Sequence, residues 1–143
     1  MITKLSHVNV FVLDQDRARD FYTQKLGFEV RNDAMLEGFR WLTVGPPAQP
    51  DLNILLARPA PPMFSDEDAR SLRDLVAKGA MAGGVIETDD CRRTYAELKA
   101  KGVEFLQEPA DRPYGVEALL RDDSGNWFSL TQRKWNGDPS RTR

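Results

Sequence analysis

Histidine and cysteine are the residue types that titrate closest to neutral pH and that also bind transition metals, and each of them occurs once in this sequence. The 143 residues contain one histidine, His7, and one cysteine, Cys91. An imidazole titrates near pH ~6.5 and serves as a general acid–base or as a metal ligand. The thiol follows a predicted helix cap, where the helix dipole would lower its pKa, but no partner base accompanies it. We therefore predict a structural role for Cys91 and consider His7 the main candidate.

The composition indicates an ordinary globular domain and excludes several classes of partner. The 20 Lys and Arg residues are balanced by 22 Asp and Glu, for a formal net charge of −2. A nucleic-acid binder needs clustered surplus Lys and Arg to neutralise phosphates, so we expect no nucleic-acid partner. We also expect no membrane partner, because no run reaches ~18 apolar residues. The first four residues lack a signal-peptide hydrophobic region, and a lone Cys forms no internal disulfide, so we expect a cytoplasmic protein.

The segment that carries His7 recurs 76 residues later in the chain. Residues 7–14 and 83–90 both alternate like a half-buried strand and end in Asp. Amphipathic helices are predicted to follow over 17–26 and 92–101. Both helices have the same boundary signals. The predicted N-caps are Asp14 and Asp90, and the glycines predicted to end the helices are Gly27 and Gly102.

Each half continues with three strands, so each reads strand, helix, strand, strand, strand. The predicted strands are 28–30, 39–44 and 51–56 in the first half, and 103–106, 116–120 and 127–131 in the second. We therefore predict modules over about 1–58 and 80–133, joined by a linker helix over 65–78 with Ser65 as its N-cap. Residues 134–143 are predicted to form a flexible C-terminal tail.

A family resemblance rests on the order of elements, on the helix segment 17–22 that leads into Leu26-Gly27-Phe28, and on the turn over 122–126. Over residues 1–133 the chain resembles the vicinal oxygen chelate superfamily. This superfamily includes glyoxalase I, bleomycin-resistance proteins, fosfomycin-resistance enzymes and extradiol dioxygenases. The resemblance implies an α+β fold of two tandem βαβββ modules, whose curved mixed sheet surrounds a cavity. It also implies a homodimer, often with exchanged halves.

The resemblance also implies where metal ligands would stand. Metal-dependent members carry His or Glu near the start of each module and on the last strand of each. His7 occupies the first of these positions, whereas Gly83, Asn53 and Ser129 stand at the other three. A catalytic metal needs about three good protein ligands, so we predict no cofactor and no resident metal. Glu117 could still approach His7 if its strand faces inward, which makes these two the candidate catalytic residues.

The remaining cavity positions are apolar or neutral. Strand alternation turns Val8, Val10 and Val12 toward the helix and the intervening side chains toward the cavity. The predicted ligand-binding residues are Asn9, Phe11, Trp41, Asn53, Leu55, Tyr114, Leu119, Trp127 and Ser129. Other interpretations remain open. His7 could be a hydrogen-bonded core imidazole, the two Trp residues could be ordinary core, and Glu117 would face solvent if the strand phase slipped by one residue.

These predictions favour a metal-independent small-molecule-binding protein, similar to bleomycin-resistance proteins, which bind and sequester a drug without chemistry. Its ligand would be aromatic or drug-like, because ligand sites are mostly apolar with a few polar groups. The alternative is a glyoxalase-like lyase or isomerase, or a dioxygenase, that uses His7 and Glu117 with or without a divalent metal. A third possibility is an interaction module whose cavity is filled by its own side chains.

Overall fold

A computed structural model describes residues 1–134 of the chain. All of the predicted C-terminal tail except Lys134 lies outside the described residues. None of the helices within residues 1–134 is long and apolar enough to cross a membrane. The elements in chain order are β1 (His7–Phe11), α1 (Gln15–Asp20, extended by a π-helical turn over Phe21–Lys25), β2 (Glu29–Leu36), β3 (Phe39–Gly45), β4 (Asn53–Ala57), α2 (Asp66–Ala77), β5 (Ala82–Glu87), α3 (Cys91–Ala100), β6 (Phe105–Arg112), β7 (Gly115–Arg121) and β8 (Trp127–Arg133).

The chain forms two compact units, each with its own four-stranded sheet. The first unit comprises Met1–Met81 together with Asp123–Asn126, and the second comprises Ala82–Asp122 and, of the residues that follow, 127–134. The strand order is β1-β4-β3-β2 in the first sheet and β5-β8-β7-β6 in the second. In each sheet the first strand runs parallel to the last strand of its module, and the other pairs are antiparallel. This confirms the predicted α+β fold of two βαβββ modules.

The helices begin and end where their capping residues predict. Asp14 accepts a hydrogen bond from the Arg17 amide at 2.9 Å, and Asp90 accepts one from the Arg93 amide at 3.0 Å. Each side chain satisfies a donor that has no partner within the helix. After each helix a glycine adopts the left-handed conformation, with φ of +75° at Gly27 and +89° at Gly102, as predicted for the residues that end the two helices.

The alternation predicted for β1 is confirmed. Val10 and Val12 are buried in the core of the first unit with Tyr22 of the helical segment, whereas His7 and Asn9 are exposed on the opposite face. The second unit follows the same rule, because β7 and β8 bury alternate apolar side chains. The buried members are Ala118, Leu120, Phe128 and Leu130. In each sheet the face opposite this buried layer is therefore available for a site.

Two edge strands differ from the sequence prediction. β2 covers Glu29–Leu36 and β6 covers Phe105–Arg112, whereas only 28–30 and 103–106 were predicted as strand. Both strands contain residue types that are depleted in β-structure, including Pro109 in β6. An edge strand tolerates proline because its outward N–H groups need no partner in the sheet. Tertiary pairing therefore overrides local propensity at both edges.

An ion-pair network fastens β2 to the rest of the first unit. The Arg40 guanidinium donates to both carboxylate oxygens of Asp33, at 2.9 and 3.1 Å, and to Asp16 at 2.7 Å. Arg19 adds a contact of 3.1 Å to Asp33. The hydrogen bonds from Arg40 are the main reason why the pKa of Asp33 lies below its usual value. The network joins β3, β2 and the N-terminal helix through one bidentate pair, the strongest geometry for such contacts.

We predict that Asp33→Asn lowers the free energy of unfolding by about 1–2 kcal/mol at pH 7, since it removes charge-assisted hydrogen bonds from a half-buried pair. The stabilisation from Asp33 exists above its unfolded-state pKa and disappears as the pH falls through the lowered folded-state pKa. The variant should therefore lose less stability than wild type between pH 7 and pH 3. Urea unfolding at several pH values measures both effects.

The matched control is Asp111→Asn, which breaks an exposed ion pair of 3.5 Å with Arg92 in the second unit. A pair of this kind contributes little, so we expect a change within about 0.5 kcal/mol. Equal effects of the two substitutions would contradict the role assigned to the Arg40 network.

Candidate functional site

The second unit contains a pocket of about 330 Å³ on the face of its sheet opposite the buried layer. Cross-strand pairing places its residues on one face, because Glu117 lies opposite Thr131 on β8, and Val85 of β5 lies beside Ser129. The lining residues are Val85, Tyr114, Glu117, Ser129, Thr131 and Arg133. Three neighbouring strands and the β6–β7 turn thus provide one polar cluster beside an apolar side chain.

The Glu117 carboxylate is the centre of this cluster. The Tyr114 hydroxyl donates to Glu117 Oε1, and the Ser129 hydroxyl donates to Oε2, each at 2.6 Å. The Thr131 hydroxyl lies 2.6 Å from Ser129 Oγ. Because the single proton of Ser129 is already directed to Glu117, Thr131 must be the donor in that contact. The three hydroxyl groups therefore form a network in which Tyr114 and Ser129 donate to the carboxylate and Thr131 donates to Ser129.

The electrostatics keep Glu117 ionised. The hydrogen bonds from Ser129 and then Tyr114 lower the pKa of Glu117, burial opposes them, and the charge of Arg112 adds to the lowering. Arg112 Nε lies 3.9 Å from Oε1, and the Glu117 side chain is only 18% exposed. The hydrogen bond between the Tyr114 hydroxyl and Glu117 is also the main reason why the pKa of Tyr114 is raised. A carboxylate with a lowered pKa is a weak base and a strong hydrogen-bond acceptor.

Hydrogen bonds around the pocket fix the backbone of Glu117 and engage the two nearby arginines. Gln107 of β6 donates its side-chain amide to the Glu117 carbonyl at 3.2 Å and accepts from Arg112 at 3.0 Å. At the rim, Arg133 Nε lies 2.6 Å from Glu87. Both arginines thus have partners among the described residues, and the backbone of Glu117 is fixed on both sides of its strand.

Of the predicted site residues in the second unit, three line the pocket and two do not. Glu117, Tyr114 and Ser129 lie together, whereas Leu119 and Trp127 lie on the same face outside the pocket lining. Sequence reasoning did not identify the other lining residues, which are Val85, Thr131 and Arg133. The period of two along a strand could have identified Thr131 and Arg133, because they continue the phase of Ser129.

The predicted equivalence between Asn53 and Ser129 is wrong. Leu55 pairs with Asn9 and Thr43 in the first unit. In the second unit Ser129 pairs with Val85 and Leu119, which follow Asn9 and Thr43 by the repeat offset of 76 residues. Ser129 is therefore the counterpart of Leu55. The reason is that the loop between β3 and β4 is two residues longer than the turn between β7 and β8, which shifts the last strand by two positions.

Gly83, the counterpart of His7 in the second module, also differs from it in backbone geometry. A bulge interrupts the pairing of β5 with β8 at this position. A Cβ atom on Gly83 would overlap the ring of Phe128, which belongs to the buried face of β8. A side chain here would therefore point away from Ser129 and could not serve as a ligand beside it.

The corresponding face of the first unit is aromatic. The rings of His7 and Trp41 lie 5.6 Å apart, and those of Trp41 and Phe39 lie 6.5 Å apart. His7 is exposed and its Nδ1 lies 2.8 Å from the Ser6 hydroxyl, so it is not the buried core imidazole that the sequence left open. Trp41 is partly exposed and is available for stacking.

The other predicted residues of the first unit are spread along the same face. Asn9 is exposed, and Phe11 makes an edge contact with the ring of Phe64 at 5.5 Å. Asn53 donates to the Ser6 carbonyl at 3.4 Å, and Leu55 is almost fully buried. Leu55 therefore contributes to packing within the sheet and offers a ligand little surface.

The described residues do not fit a resident metal ion. Within residues 1–134 no three His, Cys, Asp or Glu side chains lie close enough together to hold one. In the second-unit pocket Glu117 is the only carboxylate among the lining residues, and both of its oxygens already accept hydrogen bonds from hydroxyl groups. Such a site lacks the three or so protein ligands that catalytic metals require.

Cys91 is a buried thiol without features of a nucleophile. Its Sγ lies 3.4 Å from the Leu130 carbonyl, and its amide donates to the Gln132 side chain at 2.9 Å. Burial raises the pKa of the thiol, whereas the helix N-terminus alone would be expected to lower it. The structural role predicted for Cys91 accords with this burial.

Comparisons with known proteins agree on one family. The family described as the Glyoxalase/Bleomycin resistance protein/Dioxygenase superfamily matches residues 4–130. The crystal structure of UcmS2 is 52% identical, with a TM-score of 0.88, over 92% of this chain and 99% of that one. TnmS3, an antibiotic binding protein from Streptomyces sp. CB03234, is 30% identical, with a TM-score of 0.74, over 92% and 97%. The uncharacterized protein YurT of Bacillus subtilis (strain 168) is 32% identical over 91% of this chain and 99% of its own length.

We predict that Ser129→Ala raises the pKa of Glu117 toward its usual value, because the Ser129 hydroxyl is the largest contributor to the lowering. Titration of the Glu117 side-chain carboxyl by carbon-detected NMR measures this directly. Ser71→Ala, on the exposed surface of α2 in the other unit, is the matched control and should leave the titration unchanged. An unchanged Glu117 pKa in Ser129→Ala would show that the hydroxyl does not stabilise the anion.

Proposed function

The chain belongs to the Glyoxalase/Bleomycin resistance protein/Dioxygenase superfamily, and we propose that it is a metal-independent member that binds and sequesters a small aromatic or drug-like molecule. The observation that carries the proposal is the pocket of about 330 Å³ in the second unit, with its ordered hydroxyl and carboxylate network. Known ligand pockets measure roughly 300–1,000 Å³ and combine apolar walls with a few convergent polar groups. This pocket has both features.

The pocket combines an apolar wall with a fixed polar group. Val85 is 64% exposed and Tyr114 is 46% exposed, so their apolar surface is open to solvent and would be covered by a ligand. Ser129 and Thr131 are buried and hold Glu117 in one orientation. A ligand would therefore gain free energy from apolar contact while the carboxylate sets its orientation, at little cost in side-chain ordering.

Binding explains this geometry better than catalysis does. A general base works best when its pKa is near the operating pH, whereas the pKa of Glu117 is lowered. The hydroxyl groups next to Glu117 stabilise its anion and do not prepare it to accept a proton. The residues present also do not fit a metal ion, so neither form of the glyoxalase-like or dioxygenase alternative receives support from this pocket.

Similarity to a characterised neighbour supports the same class of function. TnmS3 is an antibiotic binding protein and shares 30% identity over 92% of this chain. Its resemblance extends over both βαβββ modules and is not confined to one motif. We therefore place the ligand of this protein among antibiotic-sized small molecules.

The aromatic face of the first unit, taken by itself, is a further surface on which a ligand could stack. Phe39, Trp41 and His7 present successive rings along that face. Planar ligands stack on such rings, and each aromatic contact is worth about 0.5–1.5 kcal/mol beyond area burial. An aromatic ligand therefore suits this chain better than an aliphatic one.

We further propose that the protein is a cytoplasmic homodimer. Edge strands β2 and β6 expose apolar side chains, with Met35 65%, Leu36 55% and Leu106 44% exposed. Large apolar side chains exposed at the edge of a sheet favour association with another surface. The lone, buried Cys91 needs no oxidising compartment.

We predict that at least one member of a panel of aromatic antibiotics, including bleomycin, doxorubicin and tetracycline, binds protein that has been treated with a chelator. At 100 times its Kd a ligand adds about 2.7 kcal/mol of stability, which raises Tm by roughly 5–10 °C for a domain of this size. Differential scanning calorimetry with and without EDTA measures the shift. EDTA should not change it.

Val85→Trp should abolish the shift by filling the pocket, whereas Ala96→Trp, at an exposed position on α3 outside the pocket lining of the same unit, should preserve it. The proposal fails if no compound in a broad panel shifts Tm. It also fails if binding requires an added divalent metal.

A further inference from the structure

The hydroxyl protons of the second-unit pocket are all committed within the protein. Tyr114 and Ser129 donate to the two oxygens of Glu117, and Thr131 donates to Ser129. A hydroxyl group has one proton and two acceptor lone pairs. These side chains can therefore offer a ligand only lone pairs unless the network is broken.

The acceptors that remain are concentrated around one carboxylate. Each oxygen of Glu117 has a further lone-pair site after its hydroxyl bond, and the Thr131 oxygen also has free lone pairs. The Ser129 oxygen accepts from Thr131 and is largely satisfied. The polar surface of the pocket is thus an array of acceptors with a negative centre.

The nearby positive charges do not cancel this acceptor character. Arg112 donates to the neutral side chain of Gln107 and keeps its charge, but at 3.9 Å it lies too far from Glu117 to occupy a lone pair of the carboxylate. Arg133 pairs with Glu87 at the rim and is 47% exposed. Glu117 receives its short contacts from neutral hydroxyl groups. A ligand that covered this anion without a donor would displace its hydrating water and form no replacement hydrogen bond, so binding would carry the cost of desolvating the carboxylate.

We infer that the pocket selects ligands by a hydrogen-bond donor, foremost a protonated amine carried on an apolar body, and rejects close analogues whose donor is capped or replaced by an acceptor. The inference rests on the proposed function and specifies the chemical class of its ligand. A charge-assisted hydrogen bond from an ammonium group to Glu117 completes the coordination of the carboxylate. Capping the nitrogen retains the positive charge and removes the N–H donors.

Three naphthalene probes separate these effects by NMR titration of the amide signals of the second unit. They are 1-naphthylmethylammonium, its N,N,N-trimethyl analogue and 1-naphthoate. The first two share charge and ring but differ in N–H donors, whereas the third replaces the donor with an acceptor. We expect the ammonium probe to bind wild-type protein at least tenfold more tightly than the trimethyl analogue, and naphthoate to bind most weakly.

Substitutions test whether the Glu117 carboxylate causes the preference for the ammonium probe. Glu117→Gln should weaken binding of the ammonium probe at least tenfold without weakening naphthoate, because the amide donates as well as accepts. Glu108→Gln is the matched control, since it removes the same charge at an exposed position outside the pocket lining, and it should change neither affinity by more than about twofold. If Glu117→Gln does not fold, Tyr114→Phe provides the test. It frees a lone pair of Glu117 and should bind the ammonium probe at least as tightly as wild type does.

The outcomes distinguish this inference from the proposed function. If the ammonium probe and its trimethyl analogue bind wild type equally, the inference is wrong, but a small-molecule pocket remains. The inference is also wrong if Tyr114→Phe loses affinity for the ammonium probe. If none of the three probes perturbs the pocket signals and the antibiotic panel also gives no shift, the proposed function fails together with the inference.

Discussion

The site depends on one partly buried anion, the Glu117 carboxylate, that neutral hydroxyl groups stabilise. The Glu117 carboxylate accepts from Ser129 and Tyr114 at 2.6 Å each, and this arrangement requires β7 and β8 to pair in one register. A shift by one residue would turn Glu117 to the other face of the sheet. The bond between Gln107 and the Glu117 backbone adds β6 to the same requirement. The pocket is therefore a property of the register of the second sheet.

The second sheet also differs from the metal-ligand pattern that the family resemblance implies. The bulge in β5 brings the backbone at Gly83 against Phe128, and a serine, Ser129, stands where the resemblance implied a carboxylate ligand. A short hydroxyl cannot replace a charged ligand, but it can donate to one. Ser129 now stabilises an anion on the neighbouring strand, so the position contributes to hydrogen bonding instead of coordination.

The fold was predictable to a large extent because its signals are local and occur twice. Asp14 and Asp90 cap their helices by the same contact, and alternation in β1 predicted which face His7 would occupy. The site was only partly predictable. Glu117, Tyr114 and Ser129 were identified individually, but their mutual contacts depend on a register that loop length decides. Two extra residues between β3 and β4 were enough to make the predicted equivalence of Asn53 and Ser129 in the two modules wrong.

The central claim is that this chain holds a small molecule at Glu117 without a metal. A crystal structure of the protein grown in EDTA with its tightest antibiotic ligand tests this claim most directly. The account predicts ligand density in the second-unit pocket, with a ligand donor within about 3.2 Å of a Glu117 oxygen. Density for the ligand outside this pocket would contradict it, as would a ligand that binds only through a metal ion coordinated by His7 or Glu117.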